Sequence, residues 1–273
     1  IDTRTRRLSG FVPFPTFPQR RTFTEVTLMA LVNPDEAAAI ATKCMTFGAT
    51  EAVVGFGTQL GRLYAAPVLP RLTTNISHRI AGTGWHVITL KVRAGEQKLF
   101  LDKVFHTFGS AASPTIPQES GIRIGGTDLQ NTALAFGGQY SQIAMWDRYL
   151  SDAEIAEAYD VMVARHTAIG GTAPSARNVW FAEGDSITAE NTTAPNGPNY
   201  QAVYAATLPS GAICINNAVS GSTLSHVTTR MTSTRLLERI TTATANGYRV
   251  VVSLMIGTNG LPTIEQIEAA WNQ

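Results

Sequence analysis

The sequence predicts a multidomain protein, in which an antiparallel β-sandwich is followed by an α/β domain with a parallel sheet. Three observations predict this division. The chain has 273 residues, which exceeds the usual size of one domain. Residues 22–167 show several short strand patterns separated by turns, which is typical of an antiparallel sandwich. Residues 177–273 alternate apolar strands with helical segments, which is typical of a parallel sheet covered on both faces.

Residues 1–21 precede the sandwich and are rich in arginine and proline. We predict that they are extended, as a linker or as an arm lying on the next domain, because proline does not continue a helix. The residues that set this composition are Arg4, Arg6, Arg7, Arg20, Pro13, Pro15 and Pro18. Since the chain starts at Ile1 without a signal peptide and residues 265–273 look like an interrupted helix, we expect a piece of a longer polypeptide.

Five segments of the predicted sandwich have strand patterns. They cover residues 25–32, 84–93, 98–102, 122–124 and 140–146. The first strand is ended by the breaker Asn33-Pro34, and Ala94-Gly95-Glu96 is a hairpin turn signal. Strands joined by such short turns are expected to pair antiparallel.

A capping box at Ser151 and Glu154 predicts that a helix follows the last strand. The Ser151 hydroxyl and the Glu154 carboxylate can each accept a hydrogen bond from a free backbone N–H at the helix start. Apolar residues then recur at helical spacing, namely Ile155, Ala158, Tyr159 and Met162. The helix is predicted to end near His166, where the helix dipole favours a cation. Residues 168–176 are small and flexible and predict a linker.

The second domain is predicted to alternate strands with helices. The strand patterns cover residues 178–182, 212–218 and 248–256, and the helix patterns cover 200–208 and 236–245. Because the strands are apolar and alternate with helices, we expect them to be parallel and buried. The sheet is expected to be incomplete.

Charge and cysteine content exclude several classes of function. The net charge of +1 gives no basis for binding nucleic acid or an anionic membrane surface, and no apolar run of about 18 residues would span a bilayer. Cys44 and Cys214 are the only cysteines and fall in different predicted domains. This excludes a disulfide scaffold and a cysteine-based zinc site. No cofactor and no metal site are predicted.

Gly184-Asp185-Ser186-Ile187-Thr188 follows the first strand of the second domain at a tight turn. A serine at such a turn has its hydroxyl at the carboxyl end of a parallel strand, where open α/β sheets bind their ligands. Its backbone N–H lies at a helix N-terminus and points toward developing negative charge. Taken alone, the segment also fits a side chain that only caps the helix.

Two further glycine-bearing turns follow the next two strands. They are Asn217-Ala218-Val219-Ser220-Gly221-Ser222 and Ile256-Gly257-Thr258-Asn259. Because the ends of parallel strands lie side by side, Ser186, Gly221 and Asn259 are predicted to converge. The Gly221 N–H and the Asn259 amide are suitable hydrogen-bond donors to an oxyanion beside Ser186.

These three motifs, in this order, resemble those of the SGNH (GDSL) hydrolases, a superfamily of flavodoxin-like esterases and lipases. The resemblance covers residues 177–273, the first part of such a domain. It implies that Ser186 is the nucleophile, with Asp185 in a supporting position beside it. It also implies an oxyanion hole made by the Ser186 N–H, the Gly221 N–H and the Asn259 side chain.

The chain departs from the family pattern at two places. Gly260 stands where the third motif usually has aspartate. The family's base lies in a late D-x-x-H motif, which does not occur in the 273 residues. His226 is the histidine nearest in sequence, but a surface or helix-start position suits it better than the role of base. We therefore expect the base beyond Gln273 and negligible activity in residues 1–273 alone.

The predicted sandwich carries a second set of motifs. They lie at residues 84–88, 99–102 and 121–126, and most specifically at 146–155, which reads W-D-R-x-L-S-x-x-E-I. Over residues 22–166 they resemble the laminin-G-like domains, which have the concanavalin-A-type jelly roll. The resemblance implies glycan binding, in some cases with calcium, or packing against partners.

Four side chains of this region bear on ligand binding. Strand periodicity favours core positions for Trp85 and Trp146 over sugar-stacking platforms. Asp128 and Asp147 have the chemistry of calcium ligands, but Asp147 fits a turn equally well, and no calcium loop of EF-hand spacing is present. No sugar contact is therefore assigned from the sequence.

Together these features predict a serine esterase or deacetylase that acts on an O-acylated glycan and is tethered to carbohydrate by the sandwich. A polysaccharide is the expected partner, and the expected setting is extracellular or the surface of a virion, in a secreted protein or a phage tail or fibre. Homo-oligomer or virion assembly fits that setting. The alternative is a non-enzymatic adhesion or virion structural protein with a truncated or degenerate SGNH scaffold. An intact lipase is a weaker third option, because no lid-like apolar segment is visible.

Overall fold

The computed structural model divides the chain into two compact units. One comprises residues 1–74 and 79–175, and the other comprises residues 75–78 and 176–273. The residues that the structure describes are 6–8, 12–13, 24–34, 42–47, 54–59, 62–66, 80, 83–109, 122–124, 137–174, 178–184, 212–233, 235–255, 263, 265 and 268.

The first unit is built from antiparallel strands. In chain order they are β1 (Arg6–Leu8), β2 (Val12–Pro13), β3 (Glu25–Pro34), β4 (Thr42–Phe47), β5 (Val54–Gln59), β6 (Arg62–Ala66), β7 (His86–Arg93), β8 (Glu96–Leu101), β9 (Val104–Gly109), β10 (Ile122–Ile124) and β11 (Gly138–Trp146). One sheet has the order β1-β11-β3-β7-β8-β9 and the other β2-β10-β4-β5-β6. All pairings are antiparallel, and β5 of one sheet contacts β7 of the other. This confirms the antiparallel sandwich class predicted from the sequence.

The sequence patterns located some strands of the first unit better than others. β3, β7, β8, β10 and β11 appear at the predicted places, although β7 begins only at His86 and the β7–β8 turn is only Ala94 and Gly95. Gly95 has a φ of 78°, a left-handed conformation that glycine adopts without steric cost. The patterns did not predict β4, β5, β6 and β9. β1 and β2 lie in the segment predicted as an arm or linker, and each pairs with a strand of the sandwich.

The core of the first unit joins the six-stranded sheet to the helix α1 (Asp152–Ala168). Its buried cluster consists of Met29, Leu31, Val87, Phe100, Phe105, Leu150, Ile155, Tyr159 and Met162. Met29 and Leu31 are two residues apart on β3 and therefore share one face of the sheet. Leu28 and Ala30 point to the opposite face and are buried as well. β3 is thus buried on both faces, which is why its sequence is apolar without a break from Leu28 to Val32.

The start of α1 has the predicted capping box. The Ser151 hydroxyl accepts from the Glu154 N–H at 3.2 Å, and the Glu154 carboxylate accepts from the Ser151 N–H at 2.7 Å. Arg148 pairs with the same carboxylate, and these hydrogen bonds lower the pKa of Glu154 to about 2. The central part of the W-D-R-x-L-S-x-x-E-I motif is therefore the joint between β11 and α1.

The same joint is attached to the sheet by two buried polar side chains. Lys91 of β7 donates to the Leu150 carbonyl at 3.0 Å and pairs with Asp152. The Thr27 hydroxyl of β3 donates to the Arg148 carbonyl at 2.8 Å and accepts from the Leu150 N–H at 3.1 Å. These bonds satisfy backbone groups of a segment that belongs to no sheet.

The end of α1 differs from the prediction at His166. The ring is buried, and burial lowers its pKa, so that the neutral form is favoured. Nδ1 lies 2.7 Å from the Ser141 hydroxyl, and the ring centroid lies 4.4 Å from that of Trp85. The prediction of a cation at this position is wrong, because desolvation of the ring outweighs the helix dipole.

The second unit contains a parallel sheet and two helices among its described residues. The strands are β12 (Asn178–Gly184), β13 (Ala212–Asn216) and β14 (Arg249–Met255), and the helices are α2 (Leu224–Ser233) and α3 (Leu236–Ala245). β12 lies between β13 and β14 and pairs in parallel with both, as predicted. The helix predicted at 200–208 lies outside the described residues, and the patterns did not predict α2. A flavodoxin-like domain stays a prediction.

Burial within the parallel sheet is uneven. β12 buries Val179, Phe181 and Ala182, as predicted for a buried strand. On β14, by contrast, Val251 is 46% exposed and Met255 is 42% exposed, so the prediction of a buried strand is wrong there. β14 has one neighbour, β12, among the described strands.

Candidate functional site

The three parallel strands of the second unit end at the same edge of the sheet. Gly184 at the end of β12 is level with Met255 at the end of β14. Ala182, two residues earlier, is level with Asn216 at the end of β13. The three sequence motifs therefore begin at neighbouring strand ends, which is the edge where open α/β sheets bind ligands.

The structure describes one of the four residues predicted to form the site. Asp185, Ser186 and Asn259 lie outside the described residues, so their convergence with the fourth stays a prediction. Gly221 is described; it is exposed and has a φ of 81°. A Cβ placed on Gly221 would have no neighbour within 4 Å, so open space adjoins this position.

Gly221 is the third residue of a tight turn over residues 219–222. The turn is closed by the Ser222 N–H, which donates to the Val219 carbonyl at 3.2 Å. A positive φ at the third position is typical of a type II turn, where glycine is favoured. The Val219 N–H in turn donates to the Gly184 carbonyl at 3.3 Å. The loop that carries Gly221 is thus attached to the first residue of the nucleophile motif.

A buried carboxylate lies directly before the nucleophile motif. Glu183 is 1% exposed at the end of β12, and burial raises its pKa. Its two oxygens are held separately: the Asn217 amide donates to Oε1 at 2.8 Å, and Arg230 Nε donates to Oε2 at 3.4 Å. These two donors favour the ionised carboxylate and partly offset the cost of burial.

Arg230 of α2 contacts three different segments through one guanidinium. Besides its bond to Glu183, Nη1 donates to the Ser222 hydroxyl at 2.9 Å, and Nη2 donates to the Gly184 carbonyl at 3.0 Å. Ser222 is itself buried. A single side chain therefore holds the first residue of the nucleophile motif and the residue that follows Gly221.

A second arginine, the buried Arg239 of α3, completes the network. Its Nη1 donates to the side-chain amide oxygen Oδ1 of Asn217 at 3.0 Å, and burial lowers its pKa to about 10. Asn217 thereby links Arg239 to Glu183. The network of described side chains combines one carboxylate with two guanidinium groups, and this excess of positive charge favours an anion that forms beside it.

Sequence reasoning missed this network, although one signal for it was present. Glu183 is the only charged residue in the strand NVWFAEG, and a buried charge needs a partner. The partner was not identifiable, because Arg230 lies 47 residues further along the chain on a helix that the patterns did not predict.

His226 lies at the helix start, as the sequence indicated. It is exposed on the first turn of α2, and its Nδ1 accepts from the Thr223 N–H at 3.3 Å. The ring therefore satisfies a backbone donor that the helix leaves open.

A second polar cluster surrounds His86 in the first unit. Nδ1 lies 3.1 Å from Asp102 Oδ2, and Nε2 lies 2.8 Å from the Thr83 hydroxyl, an order of groups that a catalytic triad also has. The Thr83 hydroxyl, however, donates to the Ile80 carbonyl at 2.7 Å, so its proton is already engaged. Asp102 also accepts from the Val87 N–H at 2.9 Å. The cluster locks β7 to the turn between β8 and β9.

A groove of about 340 Å³ lies between β11 and α1. Trp146 and Val161 supply apolar surface, and Gln142, Glu157 and Arg165 supply planar polar groups. Trp146 and Trp85 both pack against the core cluster, as predicted. Trp146 therefore belongs both to the edge of the core and to the groove.

Two negative findings apply to the described residues. No group of three His, Cys, Asp or Glu side chains among them is placed to hold a metal ion; Asp147 is exposed, and Asp128 lies outside the described residues. In the same part of the chain, no helix is both long enough and apolar enough to cross a membrane.

Comparison with known proteins gives only distant similarities. No protein-family model matches this sequence, and no curated protein matches it. Among solved structures, a candidate carbohydrate-binding protein from Bacteroides ovatus ATCC 8483 is 15% identical, with 56% of this chain and 45% of that chain covered and a TM-score of 0.47. The heptameric SAP-like pentraxin of Limulus polyphemus is 10% identical, with 58% and 83% covered and a TM-score of 0.43. The binding domain of botulinum neurotoxin serotype G is 8% identical, with 57% and 41% covered and a TM-score of 0.42. Similarities at this level identify no family.

Proposed function

We propose that the second unit is a serine ester hydrolase of the SGNH type with Ser186 as its nucleophile, and that its substrate is an O-acylated glycan. The observation that carries this proposal is the parallel register of β12, β13 and β14, whose ends precede the three motifs at one edge of a sheet. Their spatial order, with the first strand between the second and third, is also the order at the start of a flavodoxin-like sheet.

The chemistry follows from the roles assigned to these residues. The Ser186 hydroxyl attacks the ester carbonyl while a base removes its proton, and the carbonyl oxygen becomes an oxyanion. The Ser186 N–H, the Gly221 N–H and the Asn259 amide donate to that oxyanion. The intermediate collapses to an acyl-enzyme, and the proton passes to the departing sugar oxygen. Water then releases the acid and restores the hydroxyl. The base is proposed to be a histidine that lies outside the three motifs; the family's D-x-x-H motif does not occur in residues 1–273.

The first unit is proposed to hold the glycan. Its groove between β11 and α1 combines a half-buried tryptophan with an amide, a carboxylate and a guanidinium, and such a mixture suits a ring with apolar faces and a polar edge. A polysaccharide substrate fits a protein that works outside the cell or on a virion surface. Replacing Arg165, at the rim of the groove, with alanine should weaken binding to an acylated polysaccharide, whereas Arg93→Ala on β7 should not.

The nucleophile is tested by the substitution Ser186→Ala in the longest polypeptide that contains this chain. With p-nitrophenyl acetate and an acetylated polysaccharide as substrates, we expect turnover to fall by at least about 10³-fold. Ser225→Ala is the matched control, because Ser225 is an exposed serine of α2, and it should retain full turnover. Equal rates for Ser186→Ala and the unaltered protein would remove Ser186 as the nucleophile. Strong Ser186-dependent turnover by residues 1–273 alone would show that the base lies within them.

The alternative function is adhesion without catalysis, in a protein that keeps the scaffold of the hydrolase. Gly260 in place of the family's aspartate favours it. The same assay separates the two: adhesion predicts polysaccharide binding with no turnover in any polypeptide that contains a complete second domain.

A further inference from the structure

We propose that Arg230 is a positioning residue of the hydrolase, which sets the distance between the nucleophile motif and the loop that donates the Gly221 N–H. This inference rests on the proposed function and adds a role for a residue outside the three motifs. Arg230 lies in α2 and is itself not expected to contact the substrate.

The argument begins with the two segments that must keep a fixed separation. The nucleophile motif starts at Gly184, and the donor loop ends at Ser222, one residue after Gly221. Arg230 bonds to both, with distances of 3.0 Å to the Gly184 carbonyl and 2.9 Å to the Ser222 hydroxyl. A longer bond, from the Val219 N–H to the Gly184 carbonyl at 3.3 Å, also connects these segments.

The guanidinium is suited to this task by its shape. Its N–H groups lie in one plane and in fixed directions, so one side chain can hold two acceptors at a set separation. A lysine in the same place supplies a single flexible ammonium group, which lacks the second fixed arm.

Glu183 and Asn217 keep the guanidinium in place. Glu183 accepts from Arg230 Nε, and its other oxygen accepts from Asn217, which Arg239 holds in turn. Both the strand that precedes the nucleophile and a second helix therefore define where Arg230 lies. Because Glu183 is buried, this support does not depend on a mobile surface side chain.

The expected consequence is a loss of rate rather than a loss of affinity. A displacement of about 1 Å between reacting groups can lower a rate by about 10²-fold. An oxyanion donor acts mainly in the transition state, so its displacement lowers kcat and leaves KM nearly unchanged.

The test compares Arg230→Lys and Ser222→Ala with the unaltered protein, in the same polypeptide used for the Ser186→Ala assay. We expect kcat to fall by about 10–100-fold in Arg230→Lys and by a smaller factor in Ser222→Ala, with KM within about twofold in both. Arg235→Lys is the matched control, since Arg235 forms an exposed pair with Glu238 at 3.6 Å, and it should keep kcat. Tm is measured for each variant.

Each outcome is decisive. A kcat within twofold of the unaltered protein in Arg230→Lys, with Ser186→Ala inactive, would overturn the positioning role and leave the hydrolase intact. If Arg230→Lys does not fold, Ser222→Ala decides: a lower kcat at unchanged Tm supports the proposal, and an unchanged kcat overturns it. A rise in KM without a fall in kcat also overturns it. If Ser186→Ala retains full turnover, both the hydrolase and the positioning role fall together.

Discussion

The two units both bury charged groups, but they bury them in different places. In the first unit, Lys91 and the pair of His86 and Asp102 hold turns and the start of a helix against a sheet. In the second unit, the buried Glu183 and Arg239 and the partly buried Arg230 lie around the carboxyl ends of parallel strands. Charged side chains that are buried at a strand end, next to a glycine turn and open space, indicate a functional site. Charged side chains that are buried to form hydrogen bonds with backbone groups indicate a structural role.

The largest expected effect comes from breaking the network of the second unit at its centre. In Glu183→Gln, the two arginines lose the buried carboxylate that offsets their charge, so we expect a loss of about 3 kcal/mol in the free energy of unfolding. Denaturant titration of the second unit measures it. Glu157→Gln, an exposed carboxylate on α1, is the control and should cost less than about 0.5 kcal/mol. A similarly small loss in Glu183→Gln would mean that the network is not a stabilising centre.

A pair of adjacent glycines tests the packing at the end of α1. A Cβ on Gly171 would clash with the buried His166 ring, whereas a Cβ on Gly170, with a φ of 86°, would meet nothing within 4 Å. We expect Gly171→Ala to cost about 2 kcal/mol through overpacking and Gly170→Ala about 1 kcal/mol through backbone strain alone.

Thermal unfolding of the two variants measures this difference, and a double-mutant cycle identifies its cause. In the His166→Ala background, Gly171→Ala should lose most of its added cost, because the ring that it clashes with is gone. An undiminished cost in that background would place the clash elsewhere.

The pH dependence of the first unit should report His166. Burial lowers its pKa, so the folded state binds this proton less readily than the unfolded chain does. The stability linked to this ring is therefore present above about pH 6.5, the ordinary value for histidine, and is lost as the pH falls through the lower folded value. His166→Gln should flatten the curve of unfolding free energy against pH in this window.

The smallest expected effect is that of Gly221→Ala. The added methyl group has open space, so only the positive φ is penalised, at about 1 kcal/mol. If the turn contributes the Gly221 N–H to an oxyanion hole, kcat should fall even under conditions in which the Gly221→Ala protein remains folded. Equal effects of Gly221→Ala and Gly170→Ala on kcat would mean that the turn of the second unit has no special role in catalysis.

How far the sequence predicts this molecule differs between local and distant features. The capping box at Ser151 and Glu154 and the strands β3 and β12 are encoded within a few residues, and the patterns located them. His166 was assigned the wrong charge because its environment is made by Trp85 and Ser141, which are far away in the sequence. The bonds from Arg230 to Glu183 and Gly184 were missed for the same reason, since neither segment indicates the other by any local pattern.

The central position of β3 has a consequence for synthesis. β3 lies between β7 and β11, and the Thr27 hydroxyl bonds to Arg148, which is 121 residues later in the chain. The hairpins from β7 to β9 close over short loops. One edge of β3 pairs with β7, but its other edge pairs with β11, which leaves the ribosome much later. During translation, one edge of this apolar strand therefore stays unpaired until β11 has been synthesised, and an unpaired apolar edge is where other nascent chains can pair.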